Sequence, residues 1–368
     1  MLRTSLAIAI LAAMPACSRD GGGAGEAPLP GAKAKEGPAA GAVTVTGAGA
    51  TFPFPLYTKW IAEFGKRAPD VKVDYQSIGS GGGIRQITER TVDFGASDAP
   101  MTDEQLAKAA GVVHVPTCLG AVVVTYHVDG VPSGLRLGPD AISGIFLGTV
   151  KTWDDAAIAK ENPGVKLPAK AIASVHRSDG SGTTRIFVDY LSAVSPAWKT
   201  GPGSGTSVSW PGGLGAKGNE GVSATVASTP GAVGYVELAY AVQNKLPFAS
   251  IRNKAGQFVA PSVESTTAAA AGSAARMPDD LRVSIVDAEG DGAYPIAGFT
   301  YVLLHAQQKD ARKGKALVDF LGWALSDGQK LAGDLHYAAL PAAVAEKARR
   351  KVAAVTGPDG AAIAPGKP

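Results

Sequence analysis

The chain has 368 residues, of which 45% are hydrophobic and 18% are charged, and its 35 Lys and Arg nearly balance its 32 Asp and Glu. At roughly 100–200 residues per domain, this length allows two packed lobes with ample core. The charge balance argues against a nucleic-acid partner, which usually requires a strong basic excess. The apolar content excludes full disorder, and no stretch reaches the ~20 apolar residues of a membrane-spanning helix.

The N-terminus has the pattern of an export signal. Arg3 precedes an apolar stretch from Leu6 to Met14, which is too short to cross a bilayer. A small residue followed by Cys17, directly after this stretch, is typical of a bacterial lipobox, in which the cysteine becomes the lipidated first residue. We expect a signal peptide over residues 1–17 with lipidation of Cys17; the alternative is ordinary cleavage near Ala16.

The composition of residues 18–42 predicts a flexible linker. Gly, Ala and Pro make up 17 of these 25 residues, so the segment cannot bury enough apolar surface to fold. Residues 356–368 have a similar composition and are expected to form a disordered tail. The folded body is therefore predicted to run from about Val43 to Val355.

The first part of the body contains two glycine-rich turns that carry hydroxyl groups. The turn over 47–53 precedes a helical pattern that includes Leu56 and Trp60. The turn over 79–83 follows residues 71–76, which alternate as in a half-buried strand. Each turn leads into a helix, whose N-terminus offers unpaired N–H groups and a partial positive charge to an anion. Either turn alone is better explained as a capped loop.

The central region combines a polar turn with apolar strands. Asp98 is by itself a turn or cap residue, and Thr102 opens a capping-box pattern. Near-continuous apolar runs over 117–128 and 299–305 predict buried strands. Cys118 lies in the first of these runs and is expected to be a small buried hydrophobe rather than a reactive thiol. Strands alternate with helical patterns through most of the body, which indicates the α/β class.

A third hydroxyl-bearing turn, over 177–183, adds Arg177 and Asp179. Three such turns with an arginine point toward a small oxyanion, and pairing with Asp179 would hold the guanidinium in place. Asp98 then becomes informative, because a carboxylate beside an anion is tolerable only when the ligand carries a proton. Hydrogen phosphate can donate its O–H to Asp98, whereas ionised sulfate cannot, so the carboxylate would reject sulfate.

Sequence signatures of enzymes are mostly missing. The five histidines form no metal-ligand spacing, and there is neither a GxSxG elbow nor a GxxxxGK[ST] loop. The GxGxxG-like string over 213–218 follows Trp210-Pro211 rather than a strand, so we interpret it as a loop. Ser181 near His176 leaves a hydrolase as an alternative. The balance favours a binding protein that needs no cofactor and no metal.

Several long strings resemble the periplasmic phosphate-binding proteins of bacterial ABC-type phosphate importers, the PstS family. The similarity runs from about Val45 to Val344 and is carried by GAGATFPFPLY, VDYQSIGSGGG, TVDFGASDAPMTDE, RSDGSGTTRIF, WPGGLGAKGNEGV and PGAVGYVELAYA. The resemblance implies a set of phosphate-binding residues: Thr51, Phe52, Ser80, Asp98, Arg177, Ser181, Gly182 and Thr183. It also implies that Asp98 accepts the phosphate proton and that Asp179 supports Arg177.

The same resemblance implies a two-lobed fold of the Venus-flytrap type, with a mixed sheet flanked by helices in each lobe. Lobe 1 would comprise 43–118 and 299–355, lobe 2 would comprise 119–298, and phosphate would lie in the cleft between them. The expected partners are the membrane permease and ATPase subunits of a phosphate ABC transporter. The protein would be a monomer in the periplasm or cell envelope, anchored through Cys17.

Three alternatives remain at this stage. The same fold could take another oxyanion, namely sulfate, molybdate or an organic phosphate. The protein could be a secreted phosphatase or hydrolase that uses Ser181 as nucleophile. It could also be a surface protein that has kept the fold without binding, although the intact site residues speak against this.

Overall fold

Short strands rich in β-branched and small residues alternate with amphipathic helices along the part of the chain that the computed structural model describes, residues 41–364 and Gly366. The predicted signal peptide, Cys17 and residues 18–40 of the predicted linker lie outside the described residues. The strands are β1 (Val43–Gly49), β2 (Val71–Ser77), β3 (Phe94–Ser97), β4 (Val112–Tyr126), β5 (Arg136–Leu137), β6 (Ala173–Arg177), β7 (Leu214–Ala216), β8 (Ala232–Glu237), β9 (Ser250–Arg252), β10 (Phe258–Val259) and β11 (Ala297–His305).

The helices cover the faces of the sheet. They are α1 (Phe54–Arg67), α2 (Ser80–Thr88), α3 (Asp103–Lys108), α4 (Pro139–Leu147), α5 (Ala156–Ala159), α6 (Gly182–Val194), α7 (Pro196–Thr200), α8 (Gly218–Ser228), α9 (Leu238–Gln243), α10 (Val263–Ala269), α11 (Ser273–Arg276), α12 (Ala311–Ala324) and α13 (Ala342–Ala353), with 3-10 helices at Asp327–Leu331 and Gly333–Leu335. Within the described residues, no helix combines the length and apolar character needed to cross a membrane.

Local sequence signals explain how several of these helices start and pack. The Thr102 hydroxyl accepts a hydrogen bond from the Gln105 N–H, and the Thr102 N–H donates to Gln105 Oε1. The predicted capping box therefore opens α3. In α1, Leu56, Trp60 and Phe64 are buried along one face, as their helical spacing predicts. These helix predictions are confirmed.

One mixed sheet organises the molecule, in the strand order β2-β1-β3-β11-β4-β8-β6-β7. β1 runs parallel to β2 and β3, and β6 runs parallel to β7 and β8. Two antiparallel strands, β11 and β4, join these groups at the centre of the sheet. The predicted α/β class with a mixed sheet flanked by helices is confirmed.

The long strand β4 belongs to both halves of the sheet. It pairs with β11 as far as Ala121 opposite Ala297, and with β8 from Val122 opposite Glu237 onward. Strand β4 thus changes its partner strand between residues 121 and 122. This point is close to residues 118–119, where the resemblance implies that the chain crosses between lobes. Cys118 lies in this strand and is fully buried, as predicted for a small core residue.

The expectation of a disordered tail from residue 356 is wrong for the described part of that segment. The Thr356 N–H donates to the Ala306 carbonyl at 2.8 Å, and the Thr356 carbonyl accepts the Gln308 N–H at 2.8 Å. Ile363 is only 9% exposed, and its N–H donates to the Val355 carbonyl. The composition misled because one apolar side chain and backbone pairing are enough to fix a short segment on an existing body.

Candidate functional site

The carboxyl ends of two sets of parallel strands carry the predicted site residues. Thr51 follows β1, Ser80 follows β2 and Asp98 follows β3. On the other side, Arg177 ends β6 and leads into the turn before α6. In open α/β sheets this is the edge at which ligands bind.

The Thr51–Phe52 turn is held by tyrosine hydroxyls from distant parts of the chain. Tyr240 donates to the Thr51 carbonyl and Tyr337 donates to the Phe52 carbonyl, each at 2.6 Å. Phe52 is fully buried, and the Thr51 residue is 3% exposed. The bonds to their backbone carbonyls therefore hold Thr51 and Phe52 in place. The Thr51 hydroxyl faces Arg177.

Ser80 and Asp98 lie against each other at the ends of β2 and β3. The Ser80 Oγ accepts the Asp98 N–H at 3.3 Å, and it lies 3.4 Å from Asp98 Oδ2. Thr300 donates to Asp98 Oδ1 at 2.7 Å. Burial raises the pKa of Asp98 to about 7, against the opposing effect of the Thr300 bond and of the Arg177 charge. The carboxyl group is thus desolvated and oriented.

Arg177 is the one buried cation of the predicted set, with 4% of the residue exposed. Its Nε and Nη2 donate to the two oxygens of Asp179 at 2.8 and 2.6 Å, and its Nη1 donates to Thr51 Oγ1 at 3.2 Å. Burial tends to raise the pKa of Asp179, but the bonds from Arg177 outweigh it and the pKa is lowered. Asp179 stays ionised and fixes the guanidinium plane.

The turn before α6 brings backbone donors to the same place. Ser181 is the N-cap of α6, and its Oγ accepts the Thr184 N–H at 3.0 Å. The Gly182 N–H donates to Ser80 Oγ at 3.0 Å. A side chain at residue 182 would have its Cβ only 2.6 Å from Asp98 Oδ2, so glycine is required by space. Gly182 therefore joins the β2–β3 end of the site to α6.

Backbone contact between the two sets of turns completes the site. The Gly81 N–H donates to the Gly180 carbonyl at 2.9 Å. Thr183 is 1% exposed and its hydroxyl accepts from the amide of Asn219 at 3.1 Å. All eight predicted ligand positions, together with Asp179, thus form one connected cluster.

The interpretation of residues 213–218 as a loop is wrong. Because of it, Asn219 was not among the predicted site residues. Leu214–Ala216 form β7 beside β6, and α8 starts at Gly218. Asn219 in the first turn of α8 is fully buried and contacts both Thr51 and Thr183. The only signal in the sequence was the family-like string that contains it, because pairing of β7 with β6 is a long-range property.

The ring of His176 contacts residues other than Ser181. The His176 ring stacks on Trp210 with centroids 4.8 Å apart, and its Nδ1 lies 3.1 Å from the Arg177 carbonyl oxygen. Among the described hydrogen bonds, no histidine reaches Ser181. The described part of the chain also contains no group of three or more His, Cys, Asp and Glu placed to hold a metal ion.

Known proteins share both the sequence and the fold. Residues 34–328 match the family model described as the PBP superfamily domain. The phosphate-binding protein PstS of Xylella fastidiosa is 48% identical over 80% of each chain, and that of Pasteurella multocida is 47% identical over 81% of this chain and 87% of its own. The crystal structure of a phosphate-binding protein from Stenotrophomonas maltophilia superimposes with a TM-score of 0.66 at 20% identity, covering 84% of this chain and 94% of its own. The chain therefore belongs to the PBP superfamily and, within it, to the PstS family of phosphate-binding proteins.

Proposed function

We propose that the protein binds inorganic phosphate at the cluster formed by Thr51, Phe52, Ser80, Asp98, Arg177, Ser181, Gly182 and Thr183. The observation that carries this proposal is the chemistry of the cluster: one buried guanidinium, several hydroxyl and backbone donors, and one buried carboxyl group. Donors and a cation stabilise a desolvated anion. Because the Asp98 carboxylate would repel a fully ionised anion, the bound anion must carry a proton.

Asp98 distinguishes phosphate from sulfate. Above its pKa of about 7, Asp98 is a hydrogen-bond acceptor only. Monohydrogen phosphate has one O–H to donate to it, whereas sulfate has none and would meet opposed charges. A site that is built to accept a hydrogen bond from its ligand discriminates strongly against a ligand that cannot donate one. The relatives are named as phosphate-binding proteins, which supports this ligand over molybdate or an organic phosphate.

The test is isothermal titration of the signal-less protein at pH 8, after removal of endogenous ligand, with phosphate and with sulfate. We expect one-to-one binding of phosphate and no heat with sulfate. Asp98→Asn should weaken phosphate binding at least about tenfold and allow measurable sulfate binding, because the amide can donate to a sulfate oxygen. Asp319→Asn, a surface change on α12, is the matched control and should behave as wild type.

Two outcomes would count against the proposal. A folded, ligand-free protein that gives no heat with phosphate does not have this function. Full exclusion of sulfate by Asp98→Asn would leave phosphate binding in place but remove the proton as the basis of selectivity.

We further propose that the protein is a non-enzymatic, monomeric carrier that delivers phosphate to an ABC-type import permease and its ATPase subunits. The PstS family membership supports this role. Periplasmic or cell-envelope location with an anchor at Cys17 is part of the same proposal and rests on the signal-like N-terminus. Labelling with a fatty-acid probe tests the anchor: the label should be lost in Cys17→Ser, and its persistence would refute lipidation at this residue.

A further inference from the structure

We propose that Asn219 is a positioning residue that sets the hydrogen-bond polarity of the two threonine hydroxyls in the site, so that Thr51 and Thr183 both donate to the bound anion. The inference rests on the proposed phosphate site and adds to it a residue outside the predicted ligand set. Three consecutive hydrogen-bond relationships carry it.

The first relationship fixes the amide of Asn219. The backbone N–H of Glu237, at the end of β8, meets the side chain of Asn219 at 2.9 Å. Because a backbone N–H can only donate, the atom facing it must be the carbonyl oxygen Oδ1. The amide NH2 is then forced toward the opposite side, where the two threonines lie.

The second relationship concerns Thr51. Its Oγ1 lies 2.7 Å from the Asn219 Nδ2, 3.2 Å from the Asn219 N–H and 3.2 Å from Arg177 Nη1. A hydroxyl has two lone pairs and one proton, and three donors converge on this oxygen. Its lone pairs are therefore engaged, and its proton is left to be donated to another acceptor.

The third relationship concerns Thr183, on α6. Its Oγ1 accepts from the same Nδ2 at 3.1 Å. Asn219 is fully buried and Thr183 is 1% exposed, so water does not compete for these bonds. One NH2 group thus occupies an acceptor position on the hydroxyls of two different elements, which leaves the protons of both hydroxyls available to the ligand.

This arrangement also determines where the ligand's proton lies. Thr51, whose lone pairs are both engaged, and Arg177, which has no acceptor atom, present donors only, so this side of the site takes unprotonated oxygens. Asp98, held by Thr300 and Ser80, is the acceptor of the site. A monohydrogen phosphate is therefore oriented with its single O–H at Asp98, and Asn219 contributes to selectivity without contacting the anion.

The test measures phosphate affinity by titration calorimetry in wild type and in Asn219→Asp. An aspartate keeps an oxygen for the Glu237 N–H but replaces the NH2 by a second acceptor, which would attract the threonine protons away from the ligand. We expect the dissociation constant at pH 8 to rise at least about 100-fold, since bonds to a charged ligand are lost. Asn244→Asp, on the far end of α9 where Nδ2 bonds the Tyr240 carbonyl, is the matched control and should leave the affinity unchanged.

A second comparison separates polarity from simple anchoring of α8. Asn219→Ala should weaken binding about tenfold in wild type, and by a clearly smaller factor in a Thr183→Val background, where one target hydroxyl is gone. Circular dichroism and the thermal midpoint establish that each variant is folded. Equal losses in both backgrounds, or wild-type affinity in Asn219→Asp, would overturn the role of Asn219. Failure of wild type itself to bind phosphate would instead refute the proposed function.

Discussion

Asp98 shows how burial changes the chemistry of a single side chain. In an unfolded chain an aspartate has a pKa of about 3.9. In the folded protein burial raises the pKa of Asp98 to about 7, although Thr300, Arg177 and Ser80 each favour the ionised form. The folded state therefore binds a proton at pH values where the unfolded state has lost it.

The stability of the ligand-free protein should accordingly fall as the pH rises from about 4 to about 7, by an amount on the order of a few kcal/mol from Asp98 alone. Between these pH values the unfolded chain has released the Asp98 proton, whereas the folded protein still holds it. Raising the pH therefore favours the unfolded state. Urea unfolding at several pH values, in phosphate-free buffer, measures this slope. Asp98→Asn should show a flatter profile, whereas parallel profiles for the two proteins would contradict the raised pKa. Glu237, whose pKa burial also raises, remains in both proteins.

The fit of α2 against the sheet depends on glycine. A Cβ at Gly83 would lie 2.6 Å from the Ala96 carbonyl oxygen and 2.6 Å from the Gly49 Cα. The helix that starts with Ser80 therefore packs directly on the backbones of β1 and β3. This close approach keeps Ser80 beside Asp98.

Gly83→Ala should lower the free energy of unfolding by about 1–3 kcal/mol, because the backbone cannot yield without shifting α2. Gly65→Ala is the matched control. It lies inside α1, where a Cβ would meet nothing within 4 Å, and should stabilise the protein by up to about 1 kcal/mol. Urea unfolding followed by circular dichroism compares the two. A Gly83→Ala protein as stable as Gly65→Ala would show that α2 is not held by backbone contact.

At the scale of the whole molecule, the proposed site joins two sets of turns. Ser80 and Gly81 from the end of β2 contact Gly182 and Gly180 from the turn before α6, and Arg177 contacts Thr51. The resemblance to the family implies two lobes, 43–118 with 299–355 and 119–298. We propose that these contacts between the lobes exist only when the lobes are closed. Phosphate would then drive closure through its higher affinity for the closed state.

We therefore expect the radius of gyration measured by small-angle X-ray scattering to decrease when phosphate saturates the wild-type protein. Arg177→Ala removes the buried cation, so the same phosphate concentration should produce little or no decrease. Scattering curves that are identical with and without phosphate, under conditions where calorimetry shows binding, would exclude closure as the response to the ligand.

The sequence alone determined the features that depend on neighbouring residues. Turns rich in glycine and hydroxyls, the capping box at Thr102 and the apolar runs of β4 and β11 are local patterns, and all of them form the expected elements. The long strings shared with the PstS family also predicted the proposed ligand set, because the match is made residue by residue. The proton argument for Asp98 needed only the chemistry of a carboxylate beside an anion.

Only the tertiary structure decided the features that arise from long-range pairing. β7 pairs with β6 across a long stretch of chain, so the placement of Asn219 between Thr51 and Thr183 cannot be read from residues 213–219. The tail around Ile363 is ordered because a preformed surface accepts it. The raised pKa of Asp98 follows from burial by distant segments. The burial of Asp98 and the approach of Asn219 to Thr51 and Thr183 depend on residues that lie far apart in the sequence. No local sequence pattern therefore predicts them.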